Sequence, residues 1–312
     1  MSEKILSLGN IYFQIDSVHF PLGNQVDLNR ELVGGEYALY PGSSALNFVR
    51  VARSLGLSSV FVGKMGNDIP GQQVSALLNK EGIEFFPIIS DVHQTNLAIN
   101  YVADSTDSLM FVSGDANQSL EKHEVEDKLE ELFPDLKYLY LGGTFKLKSL
   151  LPALPEIISL AKKHDVKVIL DHNRITNVTT EEEKEIVRKV IPDVDFYLPS
   201  RDELLELFSV SSMEEAIEKI MSVTKNIVVI KDAENGSIGI QNGEVIKVPA
   251  FKVEIHNIVG AGDSFNAGFI RAQEEGLDLE KSLRFANATA ALKISQKNLP
   301  AYDHVVKLIN TR

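Results

Sequence analysis

Short runs of apolar, β-branched and aromatic residues recur along the chain at positions 5–8, 60–62, 138–141, 166–170, 196–198 and 227–230. Each has the length and continuous hydrophobicity of a buried strand. Helical patterns lie between them. In one, Ala45, Phe48, Val49, Ala52 and Leu55 make a single apolar stripe that stops at Gly56, a predicted C′ residue. Strands alternating with helices predict an α/β fold with a mostly parallel central sheet and helices on both faces.

Residues 12–40 and 95–112 break this rhythm with short alternating or turn-rich patterns. A helix and a strand of the main body separate them, so they are expected to leave the sheet and pair as a small β lid. Further on, residues 237–240 and 244–248 flank Asn242-Gly243, a pair that favours a type I′ hairpin, here predicted at a sheet edge. With no internal repeat and no flexible linker, the expectation is one α/β domain over residues 1–312 with lid excursions near 12–40 and 95–112.

The 44 acidic residues against 31 basic give a net charge of −13, which disfavours a nucleic-acid partner or an anionic membrane surface. An anionic substrate would then need a local site or a recruited Mg²⁺. Cysteine is absent, which removes disulfides, thiolate nucleophiles and Cys-based metal sites. The first sixteen residues lack a signal-peptide pattern, and no run approaches the roughly 18 apolar residues of a membrane span. The expected location is the cytoplasm.

The most informative stretch runs Asn257-Ile258-Val259-Gly260-Ala261-Gly262-Asp263-Ser264-Phe265-Asn266-Ala267-Gly268. Phe265, Gly268, Phe269 and Ala272 share one helical face, Asp263 stands where an N-cap would, and Gly276 closes the pattern. Glycines before a helix start let backbone N–H groups converge on an anion, which the helix dipole also favours. A carboxylate beside such a site suits a general base in phosphoryl transfer, and the helix N-terminus is expected to keep it ionised. Taken alone, the same residues are equally a glycine turn with a capping aspartate.

Gly260-Ala261-Gly262-Asp263-Ser264-Phe265, followed by Ala267-Gly268, resembles the C-terminal signature of the ribokinase-like (PfkB) carbohydrate kinases. Gly66-Asn67-Asp68-Ile69-Pro70-Gly71 and Pro41-Gly42-Ser43-Ser44-Ala45-Leu46-Asn47 resemble other family segments, as do Gly114-Asp115-Ala116-Asn117, Asp171-His172-Asn173-Arg174 and Ser200-Arg201-Asp202-Glu203. The resemblance runs from Leu8 to about Ala291. It implies a ribokinase-like sandwich and ATP-dependent phosphorylation of a hydroxyl on a sugar or sugar-like molecule. Asp263 would be the base, with the amides of Gly260, Ala261 and Gly262 holding the phosphoryl group. Glu203 would act through water on Mg²⁺. Gly42, Ser43 and Asn47 would meet the substrate, while Lys231, Gly236 and Asn287 fall where the family's nucleotide pocket lies. Family members often cover the open edges of their lids by pairing as dimers.

Four departures qualify those expectations. The substrate-reading aspartate expected five residues after Gly9 is Gln14, with Asp16 two further on, and either residue can read hydroxyls. Asn257-Ile258-Val259 replaces the usual Asp-Thr-Thr, which argues against activation by a monovalent cation. Ala233 stands for a usual glycine near the nucleotide, and Gly42-Ser43 for Gly-Gly. The alternatives are a nucleoside kinase on the same machinery and a non-catalytic sugar or nucleotide sensor on the same fold. Other motifs fail. Gly66 to Gly71 has Walker A spacing, but Gln72 and Gln73 replace its Lys and Ser/Thr. No dinucleotide fingerprint follows the first strand. The seven histidines form no zinc motif, and His256 is read as a partly buried strand-end residue.

Overall fold

The computed structural model describes residues 4–18, 36–102 and 108–311. The parts of the expected lid at 19–35 and 103–107 lie outside the described residues. The strands are β1 (Lys4–Gly9), β2 (Tyr12–Val18), β3 (Tyr37–Gly42), β4 (Ser58–Gly66), β5 (Glu84–Ser90), β6 (Leu97–Val102), β7 (Ser108–Ser113), β8 (Leu136–Gly142), β9 (Lys167–Asp171), β10 (Phe196–Tyr197), β11 (Ile227–Lys231), β12 (Ser237–Gln241) and β13 (Glu244–Val248). The helices are α1 (Ser44–Ser54), α2 (Ile69–Lys80), α3 (Lys122–Leu132), α4 (Leu154–Lys163), α5 (Glu181–Val190), α6 (Arg201–Phe208), α7 (Met213–Val223), α8 (Ala261–Glu274), α9 (Leu279–Ser295) and α10 (Tyr302–Asn310).

Nine strands form one sheet in the order β13-β12-β11-β10-β9-β8-β1-β4-β5, parallel from β11 to β5. The β12–β13 hairpin closes one edge in antiparallel sense, turning at Asn242 and Gly243 with φ of 53° and 84°. The central strands read as unbroken apolar runs because both faces are covered. Leu6, Leu8, Leu139, Leu141, Val168 and Leu170 pack into a core with residues of α3 to α7. Their neighbours Ile5, Tyr138, Tyr140 and Ile169 pack on the opposite face with α1, α2, α8, α9 and α10. Each such side chain contributes about 1.5–3 kcal/mol on burial. The edge strand β5 was not expected. Pro87 interrupts its pattern, and an edge position tolerates a residue that cannot donate to the ladder.

The second sheet has the order β3-β2-β6-β7 and is the lid. Its register places Ala38, Asp16, Asn100 and Met110 in one row and Tyr40, Gln14, Ala98 and Val112 in the next, all on one face. The base of the lid is clamped to the body. Asp68, the N-cap of α2, accepts hydrogen bonds from the Thr95 amide (2.8 Å) and hydroxyl (2.6 Å) just before β6. Asn117 bonds both the N–H and the C=O of Ile11, each at 2.9 Å, just before β2. The Gly-x-Asp-x-x-Gly segment therefore holds the lid strands in place. Among the described residues, no helix is long and apolar enough to cross a membrane.

Candidate functional site

The functional groups gather at the carboxyl ends of the parallel strands, where open α/β sheets leave a crevice beside the point at which strand order reverses. Asn10 follows β1, Gly143 follows β8, Asp171 ends β9 and Lys231 ends β11. The amino ends of α1 and α8 complete this side of the sheet. α8 begins at Gly260, whose φ of 78° suits a residue without a Cβ. Asp263 is accordingly the third residue of the helix and not its N-cap, which corrects the expectation from sequence. Gly268 lets α8 meet α9, since a Cβ there would stand 2.5 Å from Thr289 Oγ1.

Asp263 is 7% exposed and faces α1. Ser44 donates to its Oδ1 at 2.7 Å and Asn47 Nδ2 donates to its Oδ2 at 2.9 Å. Burial pushes its pKa up to about 6, against those two hydrogen bonds; Asp171 adds to the rise and Lys231 opposes it. Burial therefore outweighs the helix terminus in setting the pKa, and the carboxyl titrates near pH 6, leaving it mostly ionised at neutral pH.

Of the expected anion-hole amides, that of Ala261 donates to the Ile258 carbonyl at 3.2 Å. Among the described residues the amides of Gly260, Gly262 and Asp263 have no protein acceptor. Lys231 stands at the Gly262 end of this turn, its Nζ 3.7 Å from where a Gly262 Cβ would be. It is an ion-paired, largely buried residue and not a solvated one, with Asp171 Oδ2 at 2.8 Å. Asn266 Nδ2 also donates to Asp171 Oδ2 at 2.5 Å and to the Tyr140 hydroxyl at 3.1 Å. Burial is the largest influence and alone would raise the Asp171 pKa, but the charge and hydrogen bond of Lys231, with His172 and the Asn266 hydrogen bond, together hold the carboxyl below its ordinary value. Lys231 is raised, its burial offset by Asp171 and Glu203.

Glu203 lies in the first turn of α6, where its Oε2 accepts the Ser200 amide at 2.7 Å in a capping box. Its field reaches Lys231, Tyr197 and His172, so it sits on the same side of the sheet as Asp171. Among the described residues no three carboxylate or histidine side chains cluster for a metal. One carboxylate is nevertheless enough for a magnesium ion that keeps waters and shares phosphate oxygens.

On the lid, Gln14 Nε2 donates to Asp16 Oδ1 at 2.8 Å, and the Tyr40 hydroxyl donates to Asp16 Oδ2. Gly42 leaves room beside them, since a Cβ there would stand 2.3 Å from Gln14 Oε1 and force that side chain to shift. Ser43 spends its hydroxyl on capping α1, accepting the Leu46 amide at 3.1 Å. Two other expected residues make contacts around β12, β13 and α9. Gly236, with φ of 99°, turns β11 into β12 under the Val248 carbonyl. Asn287 ties α9 to the carbonyls of Val248 and Pro249 at 3.1 and 3.3 Å. The sequence reading singled out no role for Ser44, Asn266, Tyr140 or Asn10, which meet the site only through tertiary packing.

A family model described as pfkB family carbohydrate kinase matches residues 2–301. The chain is similar to the 5-dehydro-2-deoxygluconokinase of Bacillus subtilis, 28% identical over 304 residues that make up 93% of each chain. It is also similar to the 5-dehydro-2-deoxygluconokinase of Lacticaseibacillus casei, 30% identical over 301 residues, 92% of this chain and 91% of that one. Among solved structures, an E. coli chain assigned as a ribokinase II in complex with ATP and Mg²⁺ matches over 100% of both chains at 20% identity, with a TM-score of 0.82. That likeness shows the ribokinase-like fold, a large mostly parallel sheet wrapped in helices with a smaller sheet as lid.

Proposed function

This chain belongs to the pfkB family of carbohydrate kinases, phosphotransferases that act on an alcohol group, and we propose that it moves the γ-phosphoryl group of ATP onto a hydroxyl of a keto-sugar acid. The observation that carries the reading is Asp263, buried at the start of α8 beside three unfilled amides, with both carboxylate oxygens held by α1. Asp263 takes the proton of the acceptor hydroxyl as its oxygen bonds to phosphorus and ADP leaves. The amides of Gly260, Gly262 and Asp263 hold phosphoryl oxygens, and Lys231 adds positive charge at the Gly262 end. Mg²⁺ supplies charge neutralisation when bound with the nucleotide, and Glu203 is the residue that would orient its waters.

The acceptor class rests on the two relatives and on the polar atoms left around the crevice. Among the described residues, Asn10 Oδ1, Asn100 Oδ1 and Thr144 Oγ1 are buried and have no partner, as expected of groups that read hydroxyls and a ketone. Lys146, just after β8, has its pKa lowered by burial and by the neighbouring Arg174 and Lys148. Among the described residues neither Lys146 nor Arg174 has an ion-pair partner, and together they suit a sugar carboxylate. Replacing Asp263 with Asn should lower kcat by about 1,000-fold or more while leaving ATP affinity within a few-fold. A variant with wild-type turnover of 5-dehydro-2-deoxygluconate would refute the assignment.

The lid's outer face supports a homodimer. Leu39, Ile15, Ile99 and Phe111 lie in one row across it, with Phe111 55% and the nearby Tyr37 72% exposed. A second copy would cover this apolar face. Light scattering at micromolar concentration should give twice the chain mass, and Phe111→Glu should give the monomer; a monomeric wild type rules the dimer out.

A further inference from the structure

We propose that Lys293 is a ligand of the phosphoryl group during transfer, reaching it at the Gly260 end of the turn as Lys231 does at the Gly262 end. The proposal rests on the kinase reading above. Lys293 lies in the last turn of α9. The next residue fixes that turn to the loop before α8, because the Ile294 carbonyl accepts the amides of His256 (2.7 Å) and Asn257 (3.1 Å). A Cβ at Gly260 would stand 3.6 Å from Lys293 Cε and 3.5 Å from Asn47 Nδ2. The lysine stem and the amide that holds the base thus share one side of the same glycine.

The surroundings of this ammonium lack a counter-charge of their own. The charge on Lys231 is matched by Asp171 at 2.8 Å. Lys293 has no hydrogen-bond or ion-pair partner among the described residues. Burial lowers the Lys293 pKa from its ordinary value, with Arg50 adding to the fall, while Asp263 and Asp16 oppose it at longer range. It therefore lies within the fields of both the base and the lid carboxylate Asp16. Donors meet here without an acceptor: the Lys293 ammonium and the amides of Gly260, Gly262 and Asp263. Their complement is a group with several anionic oxygens. A phosphoryl group in flight spreads negative charge over three equatorial oxygens, and a cation near its landing side stabilises it more in the transition state than in bound ATP.

The test compares wild type with Lys293→Gln, Lys293→Arg and Asp263→Asn. Calorimetry measures binding of ADP alone, and of ADP with aluminium fluoride and 5-dehydro-2-deoxygluconate, the fluoride standing for the phosphoryl group in transfer. Steady-state kinetics then separates kcat from KM. Lys293→Gln should bind ADP as wild type does, bind the fluoride complex at least about tenfold more weakly, and lose about 100-fold in kcat with acceptor KM within about threefold. Lys293→Arg, which keeps the charge and reports on folding, should recover most of the loss. Fluoride-complex affinity within twofold of wild type in Lys293→Gln would overturn the proposal. A loss seen only as raised KM for the acid acceptor would also overturn it and give the lysine to the substrate carboxylate. Full activity in Asp263→Asn would instead mark failure of the kinase reading itself.

Discussion

The two walls of the crevice differ in how completely the protein satisfies its own polar groups. On the phosphoryl wall the side chains are held by one another: Ser44 and Asn47 hold Asp263, and Lys231 and Asn266 hold Asp171. Among the described residues, what this wall leaves over is mainly donors, the amides of Gly260, Gly262 and Asp263 with the Lys293 ammonium, which suit phosphate, beside one buried acceptor, Asn266 Oδ1. On the acceptor wall Gln14, Asp16 and Tyr40 bond among themselves, while Asn10, Asn100 and Thr144 keep buried oxygens without partners. A wall that performs one reaction can be finished in advance, whereas a wall that reads a particular substrate must leave atoms for it.

The largest effect after loss of the base is expected where that finished network is broken. Lys231→Met leaves the Asp171 carboxylate buried without its cation, at a cost of about 3–5 kcal/mol by urea denaturation at pH 7. The sign can be followed with pH. In the variant the Asp171 pKa rises above its unfolded value, so the deficit shrinks as pH falls and the carboxyl takes up a proton. Lys231→Met with Asp171→Asn should recover part of the stability. A loss below about 1 kcal/mol in the single variant would mean that the pair is solvated and that the two walls do not differ in this respect.

A smaller effect is expected on the acceptor wall. Asn100 is 1% exposed and shares its face of the lid with Asp16. Asn100→Leu removes an acceptor that the protein does not itself use, so stability should hold or rise slightly. The acceptor KM should increase roughly five- to tenfold, equivalent to one hydrogen bond, with the KM for ATP unchanged. If stability falls and KM does not move, Asn100 belongs to the lid's packing and the contrast between the walls weakens.

This division also sets what could be read from sequence. The turn from Gly260 to Gly268 was legible because its glycines answer local steric demands, a positive φ at Gly260 and the approach of Thr289 to Gly268. The strands were legible because burial on two faces leaves unbroken apolar runs. Ser44, 219 residues from the carboxylate it serves, was not legible, and neither was the pairing of Lys231 with Asp171. A serine at a helix start and a lysine at a strand end carry no mark of a distant partner. The height of the Asp263 pKa was not legible for the same reason: the helix terminus is visible in the sequence, but the burial that lifts the carboxyl to about 6, still ionised at neutral pH, is not.

The mildest test lies at that ionisation. In the folded protein Asp263 titrates near 6, above its ordinary 3.8. Between those values the native protein keeps a proton that the unfolded chain has released, so the stability due to this group falls as pH rises across that window. As the proposed base it must be ionised, and kcat/KM should then fall with an apparent pKa near 6 as the solution is made more acidic. Ser44→Ala removes the 2.7 Å hydrogen bond that favours the ionised form. The acid limb should then move upward by about one pH unit, since a hydrogen bond to a charged group is worth roughly 1.5–3 kcal/mol and Asn47 still holds the other oxygen. At pH 8.5 the variant should turn over nearly as fast as wild type, while it should lag by about threefold at pH 6.5 and about eightfold at pH 5.5. A limb that stays in place, with activity lower by the same factor at every pH, would show Ser44 supporting α1 and the acceptor wall and not tuning the base.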